Sequence, residues 1–279
     1  MPELPEVETT RRGIAPALQG ATITGVWRSG KPLRWAVPDH LPQTLTGAAV
    51  TEVGRRGKYL LIRFPKGVLL LHLGMSGSLR LCDPQLAPGP WDHFALAFKA
   101  HDRPGSTLLR LTDPRRFGGV VWHPNAQGPV SEHPLLHHLG IEPLEGQFDG
   151  AHLRRSWQGR SQTVKQALLG GDAVVGVGNI YASEALHRAG IRPQTRCGRL
   201  SRARCEALAE AVKHILSAAI AAGGSTLRDF VGSDGASGHF QTLTQVYDRA
   251  GQACHRCAGT VRQIRQGQRS TYYCPGCQH

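Results

Sequence analysis

The chain has 279 residues and a mass of 30.2 kDa, enough for about two domains of the usual ~100–200 residues, each with its own core. With 40% hydrophobic and 19% charged residues it is no disordered tail, and its longest apolar runs, 68–71 and 215–222, fall far short of the ~20 residues of a membrane span. Thirty-three basic against twenty acidic residues leave a formal net charge of +13 and a pI near 10.0, the balance of a protein that meets a polyanion or, with no partner, of a very soluble surface.

The N-terminus reads Met1-Pro2-Glu3-Leu4-Pro5-Glu6-Val7-Glu8, with acids where an export signal would carry bases. The expectation is a cytoplasmic protein, or one of the nucleoid within the cytoplasm. A helix is predicted over 3–18. Val7, Thr10, Ile14 and Leu18 share one face, the prolines suit its first turn, and the glutamates complement its positive end. Pro2 is small enough for Met1 to be removed, which would leave a secondary amine. Such an amine can attack an electrophilic carbon and form an iminium, with Glu3 beside it as acid or base and Glu6 one turn on as support. The same residues also read as an ordinary helix start.

Short apolar or alternating runs follow at 21–27, 49–53, 59–64, 68–73, 94–98, 107–111 and 119–122, separated by turn residues. They predict a β-sandwich or barrel within 1–130. Three of its turns could carry chemistry. Arg55-Arg56-Gly57-Lys58 puts Lys58 at a strand start. His72-Leu73-Gly74-Met75-Ser76-Gly77 puts Met75 on a glycine-flanked turn. Asp113-Pro114-Arg115-Arg116-Phe117-Gly118-Gly119 pairs Arg115 with Phe117. An apolar wedge beside an arginine suits a gap in a base stack and an orphaned base, although plain turn and surface roles fit each run as well.

Residues 131–150 lack a sustained period and are expected to form a linker, and the pattern becomes helical from 151. The clearest helix is 202–222, with Cys205, Leu208, Ala209, Val212, Ile215, Leu216, Ala219 and Ile220 as its stripe, Ser201 as cap and Gly223-Gly224 as its stop. Before it, Gly176-Val177-Gly178-Asn179 superficially matches a dinucleotide fingerprint but lacks the βαβ context. The better reading is a tight turn between helices whose exposed amides, with Asn179, hold a phosphate, or simply a turn. Five glycines in 223–240 suggest a mobile loop.

Seven cysteines include four in the last 26 residues: Cys254 and Cys257, then a sixteen-residue spacer, then Cys274 and Cys277. Two CxxC knuckles joined by a β-hairpin bring four thiolates together, which suits a closed, structural zinc; an iron–sulfur site is the alternative. Residues 246–279 carry five arginines against Asp248, as a reader of the nucleic-acid backbone or a solvated face would.

Taken together, the opening octapeptide, the His72 and Asp113 turns, residues 176–182, residues 223–229 and the four-cysteine finger with Arg269 resemble the formamidopyrimidine-DNA glycosylase family across essentially the whole chain. Leu4 is similar to this branch and not to its pyrimidine-directed relative. The resemblance implies an α+β multidomain fold: a β-sandwich with an N-terminal helix (1–130), a hinge (131–150), a helix-two-turns-helix domain with a lesion-capping loop (151–243) and a zinc finger (244–279), with DNA in the cleft. It implies a monomeric enzyme with one structural zinc, no organic cofactor and no membrane partner, which acts on damaged double-stranded DNA. By match, Pro2 is the nucleophile, Glu3 the acid/base residue and Glu6 its support. Lys58, His72, Asn179 and Arg269 grip phosphates, Met75, Arg115 and Phe117 fill the vacated stack, and Lys165 lies near the lesion pocket. The loop 226–239 would cover the everted base. The chain departs from the family pattern at Gly170-Gly171-Asp172, and at Asp248 and Ala258, where glycine is usual.

Overall fold

The computed structural model describes residues 2–100, 105, 107–225 and 240–279, which form two compact units. The expected capping loop, 226–239, and Met1 lie outside the described residues.

The first unit begins with helix α1 (Leu4–Leu18), whose predicted face of Val7, Thr10, Ile14 and Leu18 is buried. Eight strands follow: β1 (Thr22–Arg28), β2 (Glu52–Arg56), β3 (Tyr59–Phe64), β4 (Gly67–His72), β5 (Ser78–Cys82), β6 (Asp92–Lys99), β7 (Thr107–Thr112) and β8 (Gly119–Pro124), with the short helix α2 (Leu41–Leu45) between β1 and β2. They make two antiparallel four-stranded sheets, ordered β1-β6-β7-β5 and β2-β3-β4-β8. Apolar residues of both sheets and of α1 share one core that includes Ile14, Leu60, Leu71, Phe94, Leu96 and Leu111.

Two strands differ from expectation. The run at 49–53 does not form the strand; the pairing is carried by Glu52–Arg56, where Glu52 meets Arg63 across the ladder at 3.2 Å. This edge strand is polar, so its apolar pattern is weak. Strand β5 was not anticipated because it has only Leu79 and Leu81 as large apolar residues. Lys58 sits not at a strand start but on the two-residue turn Gly57-Lys58 of the β2–β3 hairpin, with Gly57 at φ +56°.

The second unit holds α3 (Gly150–Trp157), α4 (Val164–Gly170), α5 (Asn179–Arg188) and α6 (Arg202–Ala221), then the hairpin β9 (Arg262–Gln266) and β10 (Arg269–Tyr273). The predicted stripe of α6 is buried, and the Ser201 hydroxyl accepts the Arg204 amide at 3.3 Å as its cap. α3 approaches α6 so closely that a Cβ at Gly150 would lie 2.4 Å from the Glu206 nitrogen.

The expected linker is not free chain. Leu136 and Phe148 are buried, Gly140 donates its amide to the Gly171 carbonyl at 2.8 Å, and Ile141 pairs with Val174. The boundary between units falls after His137, and residues 222–225 cluster with the first unit.

Candidate functional site

At the chain's start, Pro2, Glu3 and Glu6 are all buried. Glu3 is the N-cap of α1 and forms a capping box with Glu6; the Glu3 amide donates to Glu6 Oε2 at 2.7 Å. The other oxygen, Glu6 Oε1, accepts the amide of Ser225 at 2.7 Å. Gly224 at φ +83° permits this, since a Cβ there would stand 3.1 Å from Glu6 Oε1. One carboxylate therefore fixes the opening residues and the chain 219 positions on. Ser225 escaped the sequence reading because nothing local marks it.

Glu8 extends the scaffold. It accepts from Arg11 at 2.9 Å and Arg12 at 2.8 Å, and pairs with Arg55 at 3.2 Å. Burial works to raise its pKa, but the hydrogen bonds and charges of these guanidinium groups outweigh that and hold it down at about 2. Arg55 also donates to the Gly57 carbonyl at 2.9 Å, which ties the Lys58 turn to α1.

His72 ends β4 beneath that turn, with its ring 4.9 Å from that of Tyr59. Its Nδ1 accepts the Gly74 amide at 3.1 Å, so the ring proton lies on Nε2. Burial, helped by the charges of Lys58 and Arg34, lowers its pKa to about 4, and the side chain is a neutral donor at physiological pH.

The Met75 turn joins β4 to β5 and the Arg115–Phe117 turn joins β7 to β8. Met75 and Phe117 are exposed by 38% and 45%. With Arg34, His72, Gly74 and Arg116 they line a cleft of about 600 Å³. The Arg115 guanidinium lies 5.1 Å from the Phe117 ring centre. Exposed apolar side chains beside a cation form a surface that water solvates poorly and a base stack would match.

In the second unit, Asn179 is the first residue of α5 and its Nδ2 donates to the Ser270 carbonyl at 3.0 Å. Residues 173–178 are buried, so the glycine turn is packed in place of displaying exposed amides as expected. Lys165, expected near the lesion pocket, lies on α4. It is 0% exposed, and its ammonium donates to Thr271 Oγ1 at 2.8 Å and the Ser270 carbonyl at 3.2 Å. In this geometry it positions the hairpin and does not face solvent, because a buried ammonium needs acceptors on the protein. Arg269, next to Ser270, is exposed beside the Gly267-Gln268 turn of that hairpin.

The sulfurs of Cys254, Cys257, Cys274 and Cys277 lie within 4.8 Å of one another, with Cys254–Cys277 at 3.8 Å and Cys257–Cys274 at 3.4 Å. Four thiolates at the ~2.3 Å of Zn–S bonds in a tetrahedron would stand about 3.8 Å apart, so the set fits one structural zinc. Gly276 and Gly259 make room, since a Cβ at either would sit 3.2 or 3.3 Å from Cys257 Sγ. The two departures, Asp248 and Ala258, occupy φ +60° and +56°, the left-handed region that favours glycine. Glu184, unremarked in the sequence, is buried on α5. It accepts the amides of Gln245, Val246 and Tyr247 at 2.8, 3.0 and 2.8 Å, anchoring the entry to the zinc module. Burial raises its pKa against the pull of those three donors.

Comparison with known proteins agrees with this architecture. Residues 1–120 match the formamidopyrimidine-DNA glycosylase N-terminal domain, 139–231 the H2TH domain of the same enzymes, and 251–279 a zinc finger found in FPG and IleRS. The formamidopyrimidine-DNA glycosylase of Herminiimonas arsenicoxydans is 54% identical over 278 residues, covering 100% of both chains, and that of Bordetella avium is 54% identical over 279 residues, covering 100% of this chain and 99% of the relative. Among solved structures, a Lactococcus lactis FPG mutant in complex with a Fapy-dG containing DNA superposes with a TM-score of 0.90 at 31% identity, covering 100% of each chain. The Lactococcus lactis protein with an abasic site containing DNA gives 0.87 at 31% identity, covering 99% of each. The chain belongs to the formamidopyrimidine-DNA glycosylase family.

Proposed function

We propose that this protein is a DNA glycosylase and abasic-site lyase that removes oxidised purines, 8-oxoguanine and formamidopyrimidines, from duplex DNA. The observation that carries the reading is the buried constellation of Pro2, Glu3 and Glu6 at the head of α1. Glu6 serves the capping box and Ser225, and it holds Glu3, buried at the helix start, next to a residue that becomes a secondary amine on loss of Met1. The solved relatives bound to Fapy-dG and abasic DNA support the choice of substrate.

Chemistry at C1′ requires the nucleotide to leave the stack, at a cost of a few kcal/mol. Met75, Arg115 and Phe117 offset that cost by filling the gap, and Arg115 reads the cytosine left behind. Lys58, His72, Asn179 and Arg269 hold phosphates. His72 does so as a neutral Nε2–H donor. Lys165 and Asn179 share the Ser270 carbonyl and so set the position of Arg269. The Pro2 nitrogen forms a bond to C1′ as the glycosidic bond breaks; the electron pair leaves with the base, which takes up a proton, and Glu3 serves as the acid/base group. The Pro2 nitrogen then gives up its proton and the C1′–O4′ bond opens, O4′ taking up a proton, and the iminium so formed acidifies C2′. Loss of a C2′ proton expels the 3′ phosphate, and a second elimination expels the 5′ phosphate. Zinc supplies folding energy to the Arg269 hairpin.

Borohydride trapping on an 8-oxoguanine·cytosine duplex tests the reading. The processed enzyme, with loss of Met1 verified by intact mass, is expected to give a covalent adduct that disappears in Pro2→Gly. Glu3→Gln should cut base excision by ~100-fold or more with DNA affinity nearly unchanged. An intact enzyme that binds the duplex but neither traps nor nicks it would instead be a zinc-finger DNA-binding protein without catalysis.

A further inference from the structure

The Met75 turn and the Arg115–Phe117 turn each cross from one sheet to the other, and ladders bracket them at both ends: Ser78 pairs with Thr112, and His72 with Gly119. Between those ladders the turns are bolted together by two buried side chains. Ser76, 5% exposed, donates its hydroxyl to Asp113 Oδ1 at 2.7 Å and accepts the Arg115 amide at 3.2 Å. Asp113, 0% exposed, accepts the Arg115 amide on Oδ1 at 3.3 Å and the Gly118 amide on Oδ2 at 2.7 Å. Its backbone is held as well. The Asp113 amide donates to the Trp91 carbonyl at 2.8 Å, and its carbonyl lies 3.0 Å from His93 Nε2. Gly74, at φ +62°, completes the contact. A Cβ there would fall 2.4 Å from the Gly118 nitrogen and the Phe117 carbonyl carbon, so the turns touch backbone to backbone.

Neither Ser76 nor Asp113 is exposed enough to meet DNA, and neither is near Pro2 in sequence. What they fix is the spacing of the side chains that do face outward: Met75 on one turn, Arg115 and Phe117 on the other. A side chain on an unbraced turn can fill a gap in many poses. Reading the edge of an opposite base needs donors held to within a fraction of an ångström. We propose that Ser76 and Asp113 are positioning residues that make the two turns one rigid insert, and that this rigidity sets the discrimination of cytosine from adenine opposite the lesion. The proposal rests on the function above, in which Arg115 reads the base opposite the lesion.

The test compares wild type with Ser76→Ala, which removes the bolt but leaves Asp113 its bond to Gly118. On 8-oxoguanine duplexes the ratio of kcat/KM with cytosine opposite to that with adenine opposite should fall about fivefold or more, the loss expected for one hydrogen bond. The loss should fall in kcat, since the phosphate grips are untouched. The signal of 2-aminopurine beside the lesion should show a weaker or slower unstacking step. Trapping on a single-stranded abasic oligonucleotide, which has no opposite strand to read and no gap to fill, should stay within about twofold. Asp113→Asn, which turns an amide N–H toward a backbone donor, should act in the same direction more strongly. An unmoved base-opposite ratio in Ser76→Ala, or an equal loss on the single-stranded substrate, overturns the bolt while leaving the glycosylase reading intact. A wild-type enzyme that traps neither substrate overturns both.

Discussion

The two ends of the molecule reach a similar result by different means. In the first unit the Met75 and Arg115–Phe117 turns stand on a sandwich core of Leu60, Leu71, Phe94, Leu96, Phe98 and many neighbours, and hydrogen bonds to Asp113 set their spacing. In the second, the Arg269 hairpin rests on a cluster of five buried residues, Val246, Cys254, Val261, Tyr272 and Cys274, and two of those are metal ligands. A segment this short cannot bury enough apolar surface to hold itself. The metal takes the place of a core, and Glu184, Lys165 and Asn179 fasten the segment to its unit. The lesson is that Phe117 and Arg269, both exposed, have unequal means of support.

Removing zinc should break the contrast most severely. A structural zinc in a small finger contributes on the order of 10 kcal/mol, so a strong chelator is expected to unfold residues 246–279 and lower affinity for a lesion duplex by ~10-fold or more. Core signals of the sandwich should persist. Fluorescence anisotropy alongside near-ultraviolet circular dichroism would follow both, and unchanged affinity would remove the finger from the interface. Glu184→Ala comes next. It strands the amides of Gln245, Val246 and Tyr247, and the destabilisation should be about 3 kcal/mol, since each unmet buried donor costs ~1–3 kcal/mol and some will find water. Urea denaturation should show it, with zinc lost at lower denaturant; a shift below ~0.5 kcal/mol would mean that the anchor is redundant. The smallest effect is a gain. Ala258→Gly should relieve a left-handed residue and stabilise the zinc knuckle by ~1 kcal/mol, read as slower transfer of zinc to a competing chelator. Slower release from the alanine protein than from the glycine variant would contradict this.

Much of this was legible in the sequence, for reasons particular residues make plain. The α1 face and the α6 stripe repeat at the helical period, and the four cysteines announce themselves by spacing. Met75 and Phe117 stand out as apolar residues on glycine-flanked turns. The bolts were invisible. Ser76 and Asp113 are 37 positions apart, Glu184 and Val246 are 62 apart, and Lys165 and Thr271 are 106 apart. Polar contacts across such distances leave no periodic trace, and a buried lysine looks in sequence like any surface lysine. Resemblance marked Lys165 as important, but only its surroundings, an enclosed ammonium facing Ser270 and Thr271, say in what way. Strand β2 misled for a related reason, since edge strands carry charge where central ones carry a pattern.

Lys165 also bears on how the protein is made. Two of its acceptors, Ser270 and Thr271, lie on β10, so these contacts form only once the hairpin has docked against α4. The sandwich core is built from residues 7–122, so the grips we propose for Lys58 and His72 can form without the docking that places Arg269.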